Sequence, residues 1–519
     1  MKSAALLATC LAMPLLATAG VNPSNGDFFI TYRDIAQQAG SHDLNLERTY
    51  NSLASELGWF GYGWGSAYET RLVAMPDGSA AVQENGSGQI NFYRAGKKAD
   101  IQGGITRIIE AATQREQLTP EAAAALRQKL AANEELRMRK VLQYGLQADL
   151  PAQTQLRSNA CSAAAITRVA DSYRRTGCDG NHDYFDLQGR LIRREESDGY
   201  NVYVHYENTR PSSIKDTLGL SIALKWSPSG LLADASTSKD HILYTYDQNQ
   251  DLVIADDVNG LRYDYDYDRN HNLTRIGYID KTSMHIEYKP TANGVVQSVT
   301  QRLGEKTAYE YRSDPADAGH TWTKVTAFSE TGKPVSREYE YRRRITDTGA
   351  EQLAEFTAGS SHNRQQTTFD EKGRVIRKDY AEGGYSEYVY HPRNDKIILV
   401  LSNNLQTSFH YDQQGNLLRA ENSEGRVIDL EYGGTQQIQR MIDTDRKART
   451  RHDVSFKYNA AGKPVEITLA GSGKIYVSYD DKGEISKVSS PKGAKMALKI
   501  TQIFQDLLTV VRVAGPRIE

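Results

Sequence analysis

Several short stretches of this chain hold residue types that do chemistry. His182, Asp183 and Asp186 fall within five residues, and an imidazole beside carboxylates is the pairing that general-base catalysis uses. The residues around them read instead as a turn leading into a strand. Asp264, Asp266 and Asp268 alternate, so a strand would put all three carboxylates on one side. Oxygen ligands gathered that way suit a hard cation. A hydrated acidic strand that discourages pairing with other chains has the same pattern, and that is the reading adopted. Gly58-Trp59-Phe60-Gly61-Tyr62-Gly63-Trp64-Gly65 spaces glycines as a phosphate loop might be imagined to, but aromatic residues fill the gaps and no strand-to-helix context with a basic residue follows. Arg342-Arg343-Arg344 reads as a solvated basic face. Eleven histidines are scattered, with neither a Gly-x-Ser-x-Gly elbow nor a His-Glu-x-x-His helix. No catalytic, cofactor-binding or metal-binding residue is assigned, no cofactor is expected, and the chain is expected not to be an enzyme.

The cysteines carry a different chemistry. Lys2, the apolar run Ala4 to Leu16 and Ala17-Thr18-Ala19 form a secretory signal pattern with Gly20 as the expected mature start. A lipoprotein site at Cys10, from Leu7-Ala8-Thr9-Cys10, is the competing reading. Removal of the leader leaves Cys161 and Cys178, an even pair in an exported chain, and a disulfide between them is expected. Such a bridge would stabilise by roughly 3 kcal/mol. The rival is a metal site, for which His182 is the nearby third ligand and a weak one. Residence in the periplasm, on the outer surface or outside the cell follows from export. No later stretch is apolar enough to span a membrane. Lys+Arg number 63 and Asp+Glu 65, so the balance points to no nucleic acid partner.

The elements that position these residues come from a repeat. Phe369, Tyr390, Tyr411 and Tyr432 stand twenty-one residues apart. Phe185, Tyr206, Trp226, Tyr246, Tyr267 and Tyr288 follow one another at twenty or twenty-one, and Tyr458 and Tyr479 again at twenty-one. Within one copy, Phe409 and Tyr411 alternate with His410, and Ile428, Leu430 and Tyr432 alternate with Val427, Asp429 and Glu431. That is the period of strands with two unlike faces. Gly415 and Gly425 sit ten apart, as do Gly189 and Gly199, Gly373 and Gly383, Gly483 and Gly493. Each copy therefore reads as strand, turn, strand, turn, with strands of about five to seven residues. Asp after the marker aromatic, as in Tyr246-Asp247, Tyr267-Asp268, Tyr411-Asp412 and Tyr479-Asp480, is placed to accept from backbone amides of the turn. The tyrosines, 31 in all, are expected to stack as a ladder. A sugar-stacking or peptide-stacking surface is the functional alternative. The array loses phase between Tyr311 and Phe369, which reads as an insertion or a repeat joint.

Asn22-Pro23-Ser24-Asn25-Gly26-Asp27-Phe28, Arg48-Thr49-Tyr50-Asn51-Ser52 and Phe60-Gly61-Tyr62-Gly63-Trp64 resemble the opening domain of Rhs (YD-repeat) proteins, and the Tyr-Asp repeats after residue 183 resemble the array of the same family. The resemblance covers about 20–94 and 183–500. It implies a β-sheet coiled into a hollow shell, which in large members encloses a C-terminal toxin freed by an internal protease-like segment. This chain departs from that pattern. Asp314-Pro315, its one Asp-Pro pair, lies mid-array and reads as a loop, and about forty residues follow Tyr479. A short, toxin-less member is expected.

Residues 95–182 interrupt the β pattern. Thr119-Pro120-Glu121 starts a helix that runs from Ala122 to Leu146, and Ile105 to Leu118 spaces its apolar residues helically. A helical hairpin followed by the disulfide loop is expected, either as a lid on the sheet or as a docking element for a partner helix. The organisation is thus a signal peptide (1–19), a β domain (20–94), a helical insertion (95–182), the YD-repeat array (183–500) and a tail (501–519). The fold class is all-β, an array of antiparallel hairpins forming a rolled sheet or shell with an inserted α-helical segment. The function expected is that of an exported structural or binding protein that binds or sheathes a protein partner or a glycan, with assembly through the sheet ends, Gln502 to Val513 being placed to cover one of them. The alternatives are a component of a toxin or effector delivery system and a secreted enzyme.

Overall fold

A computed structural model describes residues 18–491, apart from 40–41, 55, 87, 96–98, 159–160, 162, 197, 258–261, 329–332, 361–362, 393, 435–436, 460–462 and 480–484. The signal-peptide pattern up to Ala17, Cys10, Gly260, Asp480, Gly483, Gly493 and the tail with Gln502 to Val513 lie outside the described residues.

The described residues are predominantly β, with three α-helices among them between residues 101 and 143. Strands β1 (Thr18–Val21), β2 (Phe28–Ala39) and β3 (His42–Asn51) form an antiparallel sheet completed by Trp64–Gly65. A second sheet joins Arg71–Ala74, Ala80–Gln83 and Ile90–Tyr93. On it lie α1 (Ile101–Glu116), α2 (Pro120–Ala132) and α3 (Glu134–Gln143). Ile105, Ile108, Ile109 and Ala112 of α1 and Met138 and Val141 of α3 pack with Val73, Met75 and Ala81 into one apolar cluster. The helices thus cover the sheet as a lid does. The stretch expected as one helix from Ala122 breaks at Asn133, whose extended backbone ends α2 while its side chain accepts from Leu136 N–H to cap α3.

Leu57–Gly58 and Gly61–Tyr62 pair with each other, and the remaining strands, 31 in chain order from Gln155–Arg157 to Ile485–Ser489, make one antiparallel sheet. Gln155–Arg157, Ala165–Val169 and Ser172–Thr176 belong to it, so the sheet starts upstream of residue 183. Cys161 and Cys178 are disulfide-bonded, as the pairing of the two cysteines led us to expect.

The register explains the period. Each of the twelve marker aromatics follows directly on a β-bulge, for example between His205 and Tyr206, Glu287 and Tyr288, or Glu431 and Tyr432. A bulge adds one residue to one strand and re-aims the side chain beside it. The re-aimed ring reaches the neighbouring repeat. Tyr267 Oη donates to the Leu252 carbonyl, and Leu252 is the residue paired with the preceding marker, Tyr246. Tyr206, Trp226, Tyr246, Tyr288, Tyr390, Tyr411, Tyr432, Tyr458 and Tyr479 donate in the same way, at 2.6–3.0 Å. The two markers without a polar tip, Phe185 and Phe369, are those that open the two series. The turn chemistry follows the expectation: Asp247, Asp268, Asp370 and Asp412 each accept from backbone N–H groups two or four residues on.

Between the two series the strands lengthen. Lys306–Ser313, His320–Phe328, Val335–Ile345 and Glu351–Ser360 run to 8, 9, 11 and 10 residues. Asp314-Pro315 lies in the turn joining the first two, where Ala316 N–H donates to the Asp314 carboxylate. The chain divides into two compact units. The first takes in the chain up to Ser158, then Ala163–Tyr339 and Ile345–Glu351; the second takes Asn159–Ser162, Glu340–Arg344 and the chain from Gln352.

Candidate functional site

The residues singled out for chemistry are spent on local structure. His182 Nδ1 lies 3.2 Å from Thr176 Oγ1. Asp183 pairs with Arg194 at 3.2 Å and Arg175 at 3.6 Å, and Asp186 accepts from Arg190 in the turn. Asp264 faces Arg262 at 3.3 Å, Asp266 faces Arg275 at 2.5 Å and Asp268 caps its turn, so the three carboxylates do not converge. In the basic run, Arg342 is 3.6 Å from both Glu340 and Glu355, Arg343 lies over the Tyr341 ring, and Arg344 donates to the Asp370 carbonyl and to Gln352.

What the sequence did assemble is a seam within the first unit, where the opening domain docks on the array. Gly26 has a φ of +78°, and a Cβ there would stand 2.7 Å from Val295 Cγ1. Its carbonyl accepts from Val296 N–H, and the Pro23 carbonyl accepts from Thr323 Oγ1 at 2.6 Å. Asp27, beside them, accepts from Ser52 Oγ and Leu53 N–H, and burial pushes its carboxyl up to about 6 against those donors. Tyr50 accepts from Leu273 N–H at 2.9 Å. Trp64 Nε1 donates to Tyr267 Oη at 2.8 Å. A Cβ on Gly61, also at positive φ, would stand 2.5 Å from the Gln250 carbonyl, so glycine is required for backbones to approach this closely.

Arg48 is the centre of the seam. It is fully buried, as is its ion-pair partner Asp34, 2.6 Å away. Nη1 donates to Tyr265 Oη at 2.9 Å, and Tyr244 Oη donates to Asp34 at 2.7 Å. Among the described residues Nη2 has no hydrogen-bond partner. Aromatic faces surround the guanidinium, with ring centroids at 4.6 Å (Tyr32), 4.8 Å (Trp64), 5.4 Å (Tyr265) and 6.0 Å (Tyr244). Their negative π faces solvate a cation that water does not reach. Burial raises the Tyr32 and Tyr244 phenols well above their usual range, so both stay neutral and Tyr244 remains a donor to Asp34.

Two histidines were missed by the sequence reading. His271 Nδ1 lies 2.9 and 3.0 Å from the two oxygens of Asp251, a pair that looks catalytic, but its ring stacks on Tyr62 at 4.0 Å and serves the same seam. His42 brings Glu196 and Asp198 together, with Nε2 3.1 Å from Asp198 and Nδ1 3.6 Å from Glu196. Both ring nitrogens face carboxylates, and the ring stacks on Tyr200 at 4.2 Å. That arrangement bridges two exposed acids. The separation of 154 positions between His42 and Glu196 (196 − 42) hid it from any local motif.

Residues 18–92 match the family model described as Domain of unknown function (DUF6531). Human (Homo sapiens) Teneurin-4 is 25% identical over 266 residues, which is 49% of this chain and 9% of that protein. Teneurin-4 of Mus musculus is 24% identical over the same length. The chain thus spans less than a tenth of the curated relatives it matches. Among solved structures, that of TcdB2-TccC3 without its hypervariable C-terminal region covers 90% of this chain and 28% of its own, at 10% identity and a TM-score of 0.35. The Photorhabdus luminescens Tc holotoxin pore covers 90% of this chain and 27% of its own, at 10% identity and a TM-score of 0.33. Scores this low leave the fold to rest on the chain's own strands. The opening-domain match and the teneurin similarity support a YD-repeat, Rhs-type protein. No helix among the described residues is long and apolar enough to cross a membrane.

In the second unit the same repeat presents a different surface. Val400, Phe409, Ala420 and Ile428 belong to its apolar cluster. With Leu405 and Thr407 they line a groove of about 290 Å³, at whose rim stand Glu421, Asn422 and Arg426. Arg426 is held by Asp443 at 3.0 and 3.1 Å.

Proposed function

We propose that this chain is an exported, non-catalytic scaffold of the YD-repeat type whose second unit holds a protein partner. The observation that carries the reading is the contrast in how side chains are used. Asn22 to Asp27, Arg48, Tyr50 and Phe60 to Trp64 are engaged in docking the opening domain, whereas the second unit keeps an apolar groove with a polar rim at its surface. Apolar floors with charged rims are the anatomy of protein-binding sites. Export is supported by the Lys2 to Ala19 pattern and by the disulfide, which belongs to oxidising compartments. The test is capture of a stoichiometric partner from the host's envelope and medium by the full chain and by its Leu405→Lys variant. The wild type should retain the partner and the variant lose it, with thermal unfolding unchanged. Equal retention would remove the groove from the reading. A turnover activity that survives purification of the wild-type chain would overturn its non-catalytic part.

A further inference from the structure

A second concavity, in the first unit, is independent of that reading. It encloses about 430 Å³ where the loop Glu56–Trp59 and the strand starting at Arg71 face the first repeats. Two backbone bonds pin its walls: Leu232 N–H donates to the Trp59 carbonyl, and Leu72 N–H to the Gly189 carbonyl, both at 2.8 Å. Trp59 and Trp226 meet edge to face at 5.5 Å, and Tyr206 adds a third ring.

Three arginines line this space. Arg190 is committed to Asp186 and lies over Tyr206 at 4.6 Å. Arg210 lies over Trp226 at 5.9 Å and has no ion-pair partner among the described residues. Arg71 is half-buried, and among the described residues its guanidinium has neither a hydrogen bond nor an ion pair. Burial lowers its pKa, with the charge of Glu56 acting the other way. Glu56 itself is bound to Arg139. Glu69, the other carboxyl of the cavity, accepts from Trp59 and Ser66 N–H, and burial pushes it up to about 8. The space therefore combines aromatic walls, a surplus of positive charge and one half-buried cation that, among the described residues, no carboxylate contacts directly. Removing a charge from water without a partner is costly, and a bound anion offsets that cost.

We infer that this cavity binds a carboxylate carried on a flat apolar body, with the carboxylate on Arg71 and the body against the wall formed by Trp59, Trp226 and Tyr206. A planar carboxylate matches the fork of one guanidinium, whereas a phosphate dianion would bring a second charge toward Glu56. The volume suits one ring and its side chain, whether a small free acid or the C-terminal residue of a peptide.

The experiment titrates the full chain with phenylacetate and with phenylacetamide, then with a peptide ending in Phe as free acid and as amide, following tryptophan fluorescence and calorimetric heat. Saturable binding of an acid with at least tenfold weaker binding of its amide is expected. Arg71→Gln should abolish that preference, and Arg210→Gln, at an exposed position, should weaken it several-fold with unchanged melting. Saturation by phenylacetate alone identifies a small acid as the ligand, and saturation by the peptide alone a chain terminus. Absence of binding by both acids, equal binding of acid and amide, or unchanged binding by both folded variants would overturn the assignment.

Discussion

The two units run on the same repeat and face inward with different chemistry. In both, a bulge aims the marker ring at the carbonyl of the previous repeat. Two residues before the marker, the buried position is tyrosine at Tyr244 and Tyr265, the two repeats that meet the ion pair of the opening domain, against Val204, Leu224 and Ile286 in other repeats of the first unit and Phe409, Leu430, Phe456 and Val477 in the second. The tyrosines are buried as deeply as the aliphatic residues, yet each sends a hydroxyl into the opening domain, to Asp34 and Arg48. The period therefore sets strand spacing and turn placement, while a single inward position per repeat decides what the face receives. The polar tips of Tyr244 and Tyr265 receive a buried ion pair; the apolar ring of Phe409 lines a groove.

Three predictions sharpen this contrast. All four tryptophans, Trp59, Trp64, Trp226 and Trp322, lie in the first unit, so their fluorescence reports that unit alone. Arg48→Ala leaves Asp34 buried without its cation and should cost about 4 kcal/mol. The tryptophan-detected denaturant midpoint should fall sharply, while hydrogen exchange in 400–479 stays as in the wild type. Equal loss of protection in both regions would show that the units do not differ in this way.

The next effect is pH-dependent. Asp27 has a folded pKa of about 6 against 3.8 for an exposed carboxyl, so the folded state binds its proton more tightly. Its contribution is complete below pH 3.8 and is lost as pH rises to about 6, a difference of about 3 kcal/mol. Asp27→Asn keeps an oxygen to accept from Ser52 and Leu53, and should flatten that slope in tryptophan-detected unfolding between pH 4 and 7. A slope unchanged in the variant would assign the dependence elsewhere.

The smallest effect compares equivalent ladder positions. Tyr432→Phe removes one phenol-to-carbonyl bond and should cost about 1 kcal/mol. Tyr267→Phe also strands the Trp64 indole N–H, and should cost about 2 kcal/mol. Equal losses, measured by hydrogen exchange at each repeat, would mean that the seam adds nothing to the marker's role.

Much of this was legible in the chain. Period-two alternation, glycine spacing and the Asp after half of the markers forecast strands and turns because those signals are local. Phe at 185 and 369 was legible too, but its meaning was not: only the bulge register shows that a marker bonds backward, so that the first of a series needs no hydroxyl. The break of the second helix at Asn133 was hidden because Asn is tolerated within helices and its cap geometry depends on packing of both helices over Val73 and Ala81.

The sequence by itself determined the repeat, the turn chemistry, the disulfide and the residues of the opening motifs, since each depends on neighbours a few positions away or on composition. Tertiary structure alone decided what those motifs are for. Arg48 meets Tyr265 across 217 residues and Tyr50 meets Leu273 across 223; Arg71, Trp59 and Trp226 share one cavity. Desolvation and partner choice act through space, and nothing in local spacing encodes which buried cation finds a ring or a carboxylate.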